Sequence, residues 1–82
     1  QTAADEERVR QRIKTAVMEV YDKHLAENPN DYETRFARAN QHYLNGDYAL
    51  ALADADIVLG LLPNKDKEMR FDTHMLKAAT RL

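Results

Sequence analysis

The chain has 82 residues, of which 44% are apolar and 32% are charged, and its formal net charge is −2. This length suits one domain with a small core, and the charge provides no basic footprint for a nucleic-acid backbone. The absence of Cys excludes disulfides, zinc–thiolate sites and thiol nucleophiles. No apolar run approaches the roughly 20 residues of a membrane-spanning helix.

The first predicted helix begins near Thr2, which forms a capping-box pattern with Asp5. It should end near Glu27, because the residue before Pro29 avoids the helical region. Apolar and weakly polar residues recur at helical spacing in between and predict one continuous stripe. The stripe consists of Val9, Ile13, Ala16, Val17, Val20, Tyr21, His24 and Leu25.

The second and third predicted helices form a hairpin. The second begins at Asn30 or Asp31, either of which can cap it, and ends at Asn45-Gly46, because Gly readily takes the left-handed conformation that closes a helix. Asp47 would then cap the third helix, so a turn of about two residues forces an antiparallel pair. The predicted buried stripe of the second helix is Tyr32, Phe36, Ala39 and Tyr43.

The third helix, from Tyr48 to about Gly60, is apolar on most sides, which predicts neighbours on more than one side. We expect it between the second and fourth helices, with the first helix nearby. The fourth helix opens after Asn64 or Asp66 and has no terminating residue at its end. Its apolar residues at helical spacing are Phe71, Met75, Ala78, Ala79 and Leu82.

A repeat links these elements. Pro29-Asn30 recurs 34 residues later as Pro63-Asn64, and Gly46-Asp47-Tyr48 lies between the two copies. This spacing is the period of the tetratricopeptide repeat, and Arg38-Ala39 resembles a pair found in the first helix of many such repeats. Over nearly its whole length the chain is therefore similar to this family.

The resemblance implies an all-α fold of four helices, in which antiparallel hairpins stack into a right-handed superhelix. Within a single domain, 1–82, residues 1–30 resemble the second helix of a repeat, 31–63 a full repeat, and 64–82 the first helix of the next. Arg35 and His42 depart from the family pattern, because they stand where it usually packs large apolar or aromatic residues.

In this family the first helix of each repeat lines a concave surface that binds peptides or partner helices. Some relatives hold a terminal carboxylate with an Asn and a Lys four residues earlier, but here Asn40 is preceded by Phe36 at that spacing. An aromatic and apolar groove is therefore expected. The protein-binding residues implied are Glu33, Phe36, Asn40, Tyr43, Leu44, Asp72, Met75, Ala79 and Leu82.

Other chemistry is not expected, so we predict no catalytic, cofactor or metal site. The basic run from Arg8 to Lys14 lies within helical reach of acidic residues, which indicates a solvated, ion-paired face rather than nucleic-acid binding. The three His residues fall on three helices, which disfavours a metal site. Asp54 and Asp56, two residues apart on a helix, point about 200° apart and cannot act as a pair.

These patterns predict a non-enzymatic scaffold for protein–protein interaction and a fragment of a longer repeat protein. We expect the exposed face of the C-terminal helix to be hidden in a homodimer. Two alternatives stay open: a stand-alone helical bundle, natural or designed, and a helical accessory region of an enzyme. The compartment is also open, since a soluble chain that begins at Gln1 fits a cytoplasmic or an exported, periplasmic protein.

Overall fold

The computed structural model describes residues 3–81, and they form four helices without a strand. The predicted all-α fold is confirmed, and the predicted helix boundaries agree to within about two residues, except that the fourth helix, expected to run on without a terminating residue, ends at Ala79 with Thr80 as its C-cap. The capping box proposed at Thr2 lies outside the described residues. The helices are α1 (Ala3–Glu27), α2 (Tyr32–Leu44), α3 (Tyr48–Leu61) and α4 (Lys67–Ala79).

The turn between α2 and α3 depends on Gly46. This residue has a φ of +85°, and its amide donates to the Tyr43 carbonyl over 3.0 Å, while the Asp47 amide donates to the His42 carbonyl over 2.8 Å. These two bonds form a Schellman motif, which satisfies carbonyls at the end of α2 that lack a helical partner. The sharp reversal predicted from this glycine is confirmed.

The N-terminal caps are less uniform than the sequence predicts. The Asp31 side chain accepts a hydrogen bond from the Thr34 amide at the start of α2, and Asp66 accepts one from the Met69 amide at the start of α4. Asp47 occupies the N-cap position of α3 but makes no capping hydrogen bond through its side chain. The prediction that Asp47 caps α3 is therefore correct in position only.

The four helices pack as an open series. α3 lies against both α2 and α4, as predicted, and α2 also contacts α4. Within residues 3–81, α1 is adjacent to α2 but to neither α3 nor α4, so the expected proximity of α1 and α3 is wrong. The core is small and joins three helices through Ala39, Ala55 and Leu76, with Phe36 and Tyr43 packed against it.

The apolar stripe predicted on α1 divides into two faces. Leu25 is buried and Tyr21 is half-buried, whereas Val9, Ile13 and Val20 are more than half exposed. The reason is direction: on a helical projection Val9, Ile13 and Val20 centre about 120° from the side that carries Tyr21 and Leu25, and α2 covers only that side. The predicted stripe is therefore covered along only one of its sides.

On α4, the apolar residues that recur at helical spacing also lie on the outer side of the helix. The residues that α4 buries are Thr73 and Leu76, while Phe71 and Met75 are exposed. Thr73 is tolerated in the interior because its hydroxyl donates to the Met69 carbonyl over 2.7 Å. The inward face of α4 is thus about 150° from the midpoint between Phe71 and Met75.

Candidate functional site

The five predicted binding positions on α2 share one side of that helix. At 100° per residue they fall within an arc of about 100°. Phe36 and Tyr43 are half-buried and rest on the core, whereas Glu33, Asn40 and Leu44 are exposed. α2 therefore presents an aromatic strip with polar and apolar residues beside it.

The predicted positions on α4 are also accessible. Asp72 and Met75 are exposed and Ala79 is half-buried, while Leu82 lies outside the described residues. Phe71, one turn before Met75, was not among the predicted binding positions, yet it is 64% exposed. Its position about one helical turn from a predicted binding residue is the signal that could have added it to the surface.

Tyr48 was not among the predicted positions, but it contacts one of them. Its ring centroid lies 5.4 Å from that of Tyr43, with the ring planes inclined at 45°. Such tilted aromatic pairs are stabilising beyond the area they bury. The contact crosses the Gly46 turn and fixes the end of the aromatic strip on α2.

A buried ion pair holds α2 against α3. Asp54 is only 4% exposed, and Arg38 donates to both of its carboxylate oxygens, from Nε over 2.7 Å and from Nη2 over 2.8 Å. The same guanidinium donates from Nη1 to Asp22 on α1 over 2.8 Å. These bonds, above all those to Asp54, raise the pKa of Arg38 above its already high value. Arg38 therefore ties three helices together.

Arg35 and His42 complete this cluster and account for their departure from the family pattern. Arg35 Nη1 lies 3.5 Å from one oxygen of Asp54, and His42 Nε2 lies 3.7 Å from the other. Arg35 Nε and His42 Nδ1 are buried without a hydrogen-bond partner. Polar residues occupy these inward positions because α3 presents a carboxylate to them.

A second His–Asp contact closes the joint between α1 and α2. His24 Nε2 lies 2.6 Å from Asp31 Oδ2, and the Thr34 amide and hydroxyl both donate to the same carboxylate. The hydrogen bond with His24, reinforced by those from Thr34, lowers the pKa of Asp31 to about 2. The arrangement fixes the start of α2 and involves no second carboxylate.

The remaining candidates for chemistry are dispersed. Asp54 binds Arg38 inside the hairpin, whereas the exposed Asp56 pairs with Lys77 of α4 over 2.7 Å, so the two carboxylates have separate partners. Across residues 3–81, no group of three His, Asp or Glu side chains is placed to hold a metal ion. None of the helices in that range is long and apolar enough to cross a membrane.

The basic run on α1 is partly paired. Arg8 lies 3.8 Å from Asp5, and Arg10 lies 3.2 Å from Glu7. Hydrogen bonds from Gln11 and Arg10 lower the pKa of Glu7. Two of the four basic residues in this run are thus paired with neighbouring acidic residues, as predicted for a solvated face.

Comparisons with models of protein families, with curated proteins and with solved structures found no match to this chain.

Proposed function

We propose that the chain is a protein-binding module of the tetratricopeptide kind, with a ligand surface on α2 and α4. The observation that carries this proposal is the exposure of large apolar side chains on α2 and α4, together with the half-buried Phe36 and Tyr43 on α2. Leu44 is 67% exposed, and Phe71 and Met75 are also more than half exposed. Grouped apolar side chains at a protein surface typically mark an interaction site.

The packing order supports the repeat-like part of the proposal. α2 contacts α4 although α3 lies between them in sequence. In a stack of repeats, α2 and α4 correspond to the first helices of successive repeats, which line the concave surface. The tight Gly46 hairpin and the open series of helices agree with this arrangement.

The charges at the surface favour one class of ligand. Glu33 and Asp72 are the ionised residues among the predicted positions, and both are exposed. Asn40 has Phe36 and not a cation four residues before it, so a terminal carboxylate would find no positive partner. The preferred ligand is an amphipathic helix or extended peptide with apolar anchors and flanking Lys or Arg.

A stand-alone bundle fits the surface less well. Such a protein is expected to bury its large apolar side chains, because their exposure has no function and promotes association. Leu44, Phe71 and Met75 would then be unexplained. We therefore propose a binding role without catalysis, consistent with a buried Asp54 that is fully committed to Arg38.

Selection from a displayed library of random peptides tests the proposal directly. Peptides selected on the wild-type chain should bind Leu44→Glu and Met75→Glu variants at least about tenfold more weakly, because a carboxylate would be desolvated at the contact. Leu50→Glu and Ile57→Glu are matched controls, since both residues are exposed apolar side chains on α3.

Amide chemical-shift mapping of the bound peptide provides a second readout. Shifts concentrated on α2 and α4 support the proposed surface. The proposed surface would be refuted if the selected peptides bound all four variants equally. It would also be refuted if only the two α3 variants lost binding.

A further inference from the structure

We propose that a second copy of this chain docks on the uncovered face of α1 and forms an antiparallel helix pair. The face consists of Val9, Ile13, Ala16 and Val20, all of which are exposed. It is distinct from the ligand surface on α2 and α4 and does not depend on the function proposed for that surface.

The face is separate from the side of α1 that packs on α2. On a helical projection, the four residues centre about 130° from the side that carries Tyr21 and Leu25. Their spacings of four, three and four residues are those of the seam between two coiled helices. A partner helix therefore fits here without displacing α2.

Antiparallel pairing places complementary side chains opposite each other. Residues whose numbers sum to 29 share a layer, so Val9 meets Val20 of the second copy and Ile13 meets Ala16. The next layer outward joins Glu6 with Lys23. In a parallel pair Glu6 would instead face Glu6 of the second copy, so the charges favour the antiparallel arrangement.

The charged residues beside the seam also favour the antiparallel arrangement. In an antiparallel pair Arg12 flanks the seam beside Glu19 of the second copy, and the twofold axis creates this contact twice. Neither Arg12 nor Glu19 forms a hydrogen bond or ion pair within residues 3–81, and the same holds for Glu6 and Lys23. Their neighbours Arg8, Arg10 and Asp22 are paired within the chain. Arg12, Glu19, Glu6 and Lys23 are therefore free to pair with the second copy.

Sedimentation equilibrium of the whole chain, from about 10 μM to about 1 mM, tests the proposal. We expect the wild type to dimerise reversibly. Arg12→Glu should weaken dimerisation on the order of tenfold, because two attractions become two repulsions. Glu19→Arg should do the same, and the double variant should recover the wild-type constant. Since both side chains are exposed and unpaired, far-ultraviolet circular dichroism should show unchanged helix content.

Two further variants identify the face. Val20→Glu should abolish dimerisation, whereas Phe71→Glu on the outer side of α4 should leave it unchanged. A wild type that stays monomeric to about 1 mM would overturn the proposal. So would a dimer that Phe71→Glu disrupts and Val20→Glu does not, or a double charge variant that fails to recover. Because binding of selected peptides is measured separately, failure here leaves the ligand surface on α2 and α4 untouched.

Discussion

Arg38 on α2 and Asp54 on α3 lie eight residues before and eight residues after Gly46, and they meet in a two-pronged ion pair. The turn fixes the register of the hairpin, and the register brings the guanidinium to the carboxylate. Because Asp54 is buried, its charge is acceptable only while cations surround it. The pair thus makes the alignment of α2 with α3 specific.

Replacing Arg38 with Met should destabilise the chain strongly, since it leaves a buried carboxylate with weaker partners. The loss should fall at the low end of about 3–5 kcal/mol, because Arg35 and His42 remain near Asp54. Adding Asp54→Leu should restore part of the stability. Urea unfolding of the two single variants and the double variant gives the coupling free energy, and strictly additive effects would contradict this account.

The two glycines should respond in opposite directions to replacement by Ala. Gly46 has a positive φ, so Gly46→Ala should cost about 1–2 kcal/mol through backbone strain alone, because a Cβ there meets no atom within 4 Å. Gly60 lies within α3 in equally open space, and Gly60→Ala should stabilise by about 0.5–1 kcal/mol. Thermal unfolding of both variants measures this, and Gly46→Asn should lose less than Gly46→Ala.

Local rules predict the helix boundaries of this chain well. Pro29, Gly46 and Asp66 act through the backbone of their own segments, so their effects can be read without knowing the fold. The apolar stripe predicted on α2 is also largely correct, because Phe36, Ala39 and Tyr43 do contact the core.

Contacts between helices are less accessible to such reasoning. Periodicity identifies an apolar face but not whether a neighbour covers it, so it predicts one stripe on α1 where the structure has a covered side and an exposed side. The Arg38–Asp54 pair is missed for a different reason: spacing along one helix carries no information about which residue on another helix it meets. Their equal distances from Gly46 would have suggested the contact.

The depressed pKa of Asp31 makes the α1–α2 joint sensitive to acid. Its carboxyl has a pKa of about 2 in the folded chain against an ordinary 3.8, so the folded state binds this proton less readily than the unfolded state. The stabilisation is complete well above pH 3.8 and disappears as the pH falls through about 2. Acid unfolding of His24→Ala should therefore depend less on pH in that window.

Carboxyl carbon chemical shifts measure the titration of Asp31 directly. In His24→Ala the pKa should rise towards its ordinary value, because the hydrogen bond with His24 is the largest cause of the shift. His74→Ala, an exposed His on α4, serves as the control and should leave Asp31 unchanged. An unaltered Asp31 titration in His24→Ala would mean that Thr34 alone maintains the low pKa.

The inward face of α4 can be tested with neighbouring residues of similar size. Leu76 is buried against Ala39 and Ala55, so Leu76→Ala should cost about 2–5 kcal/mol through lost burial and the cavity left behind. Met75 is exposed, so Met75→Ala should change the free energy of unfolding by less than about 0.5 kcal/mol. Urea unfolding of the two variants compares them. Equal losses would place Met75 in the interior and remove it from the proposed ligand surface.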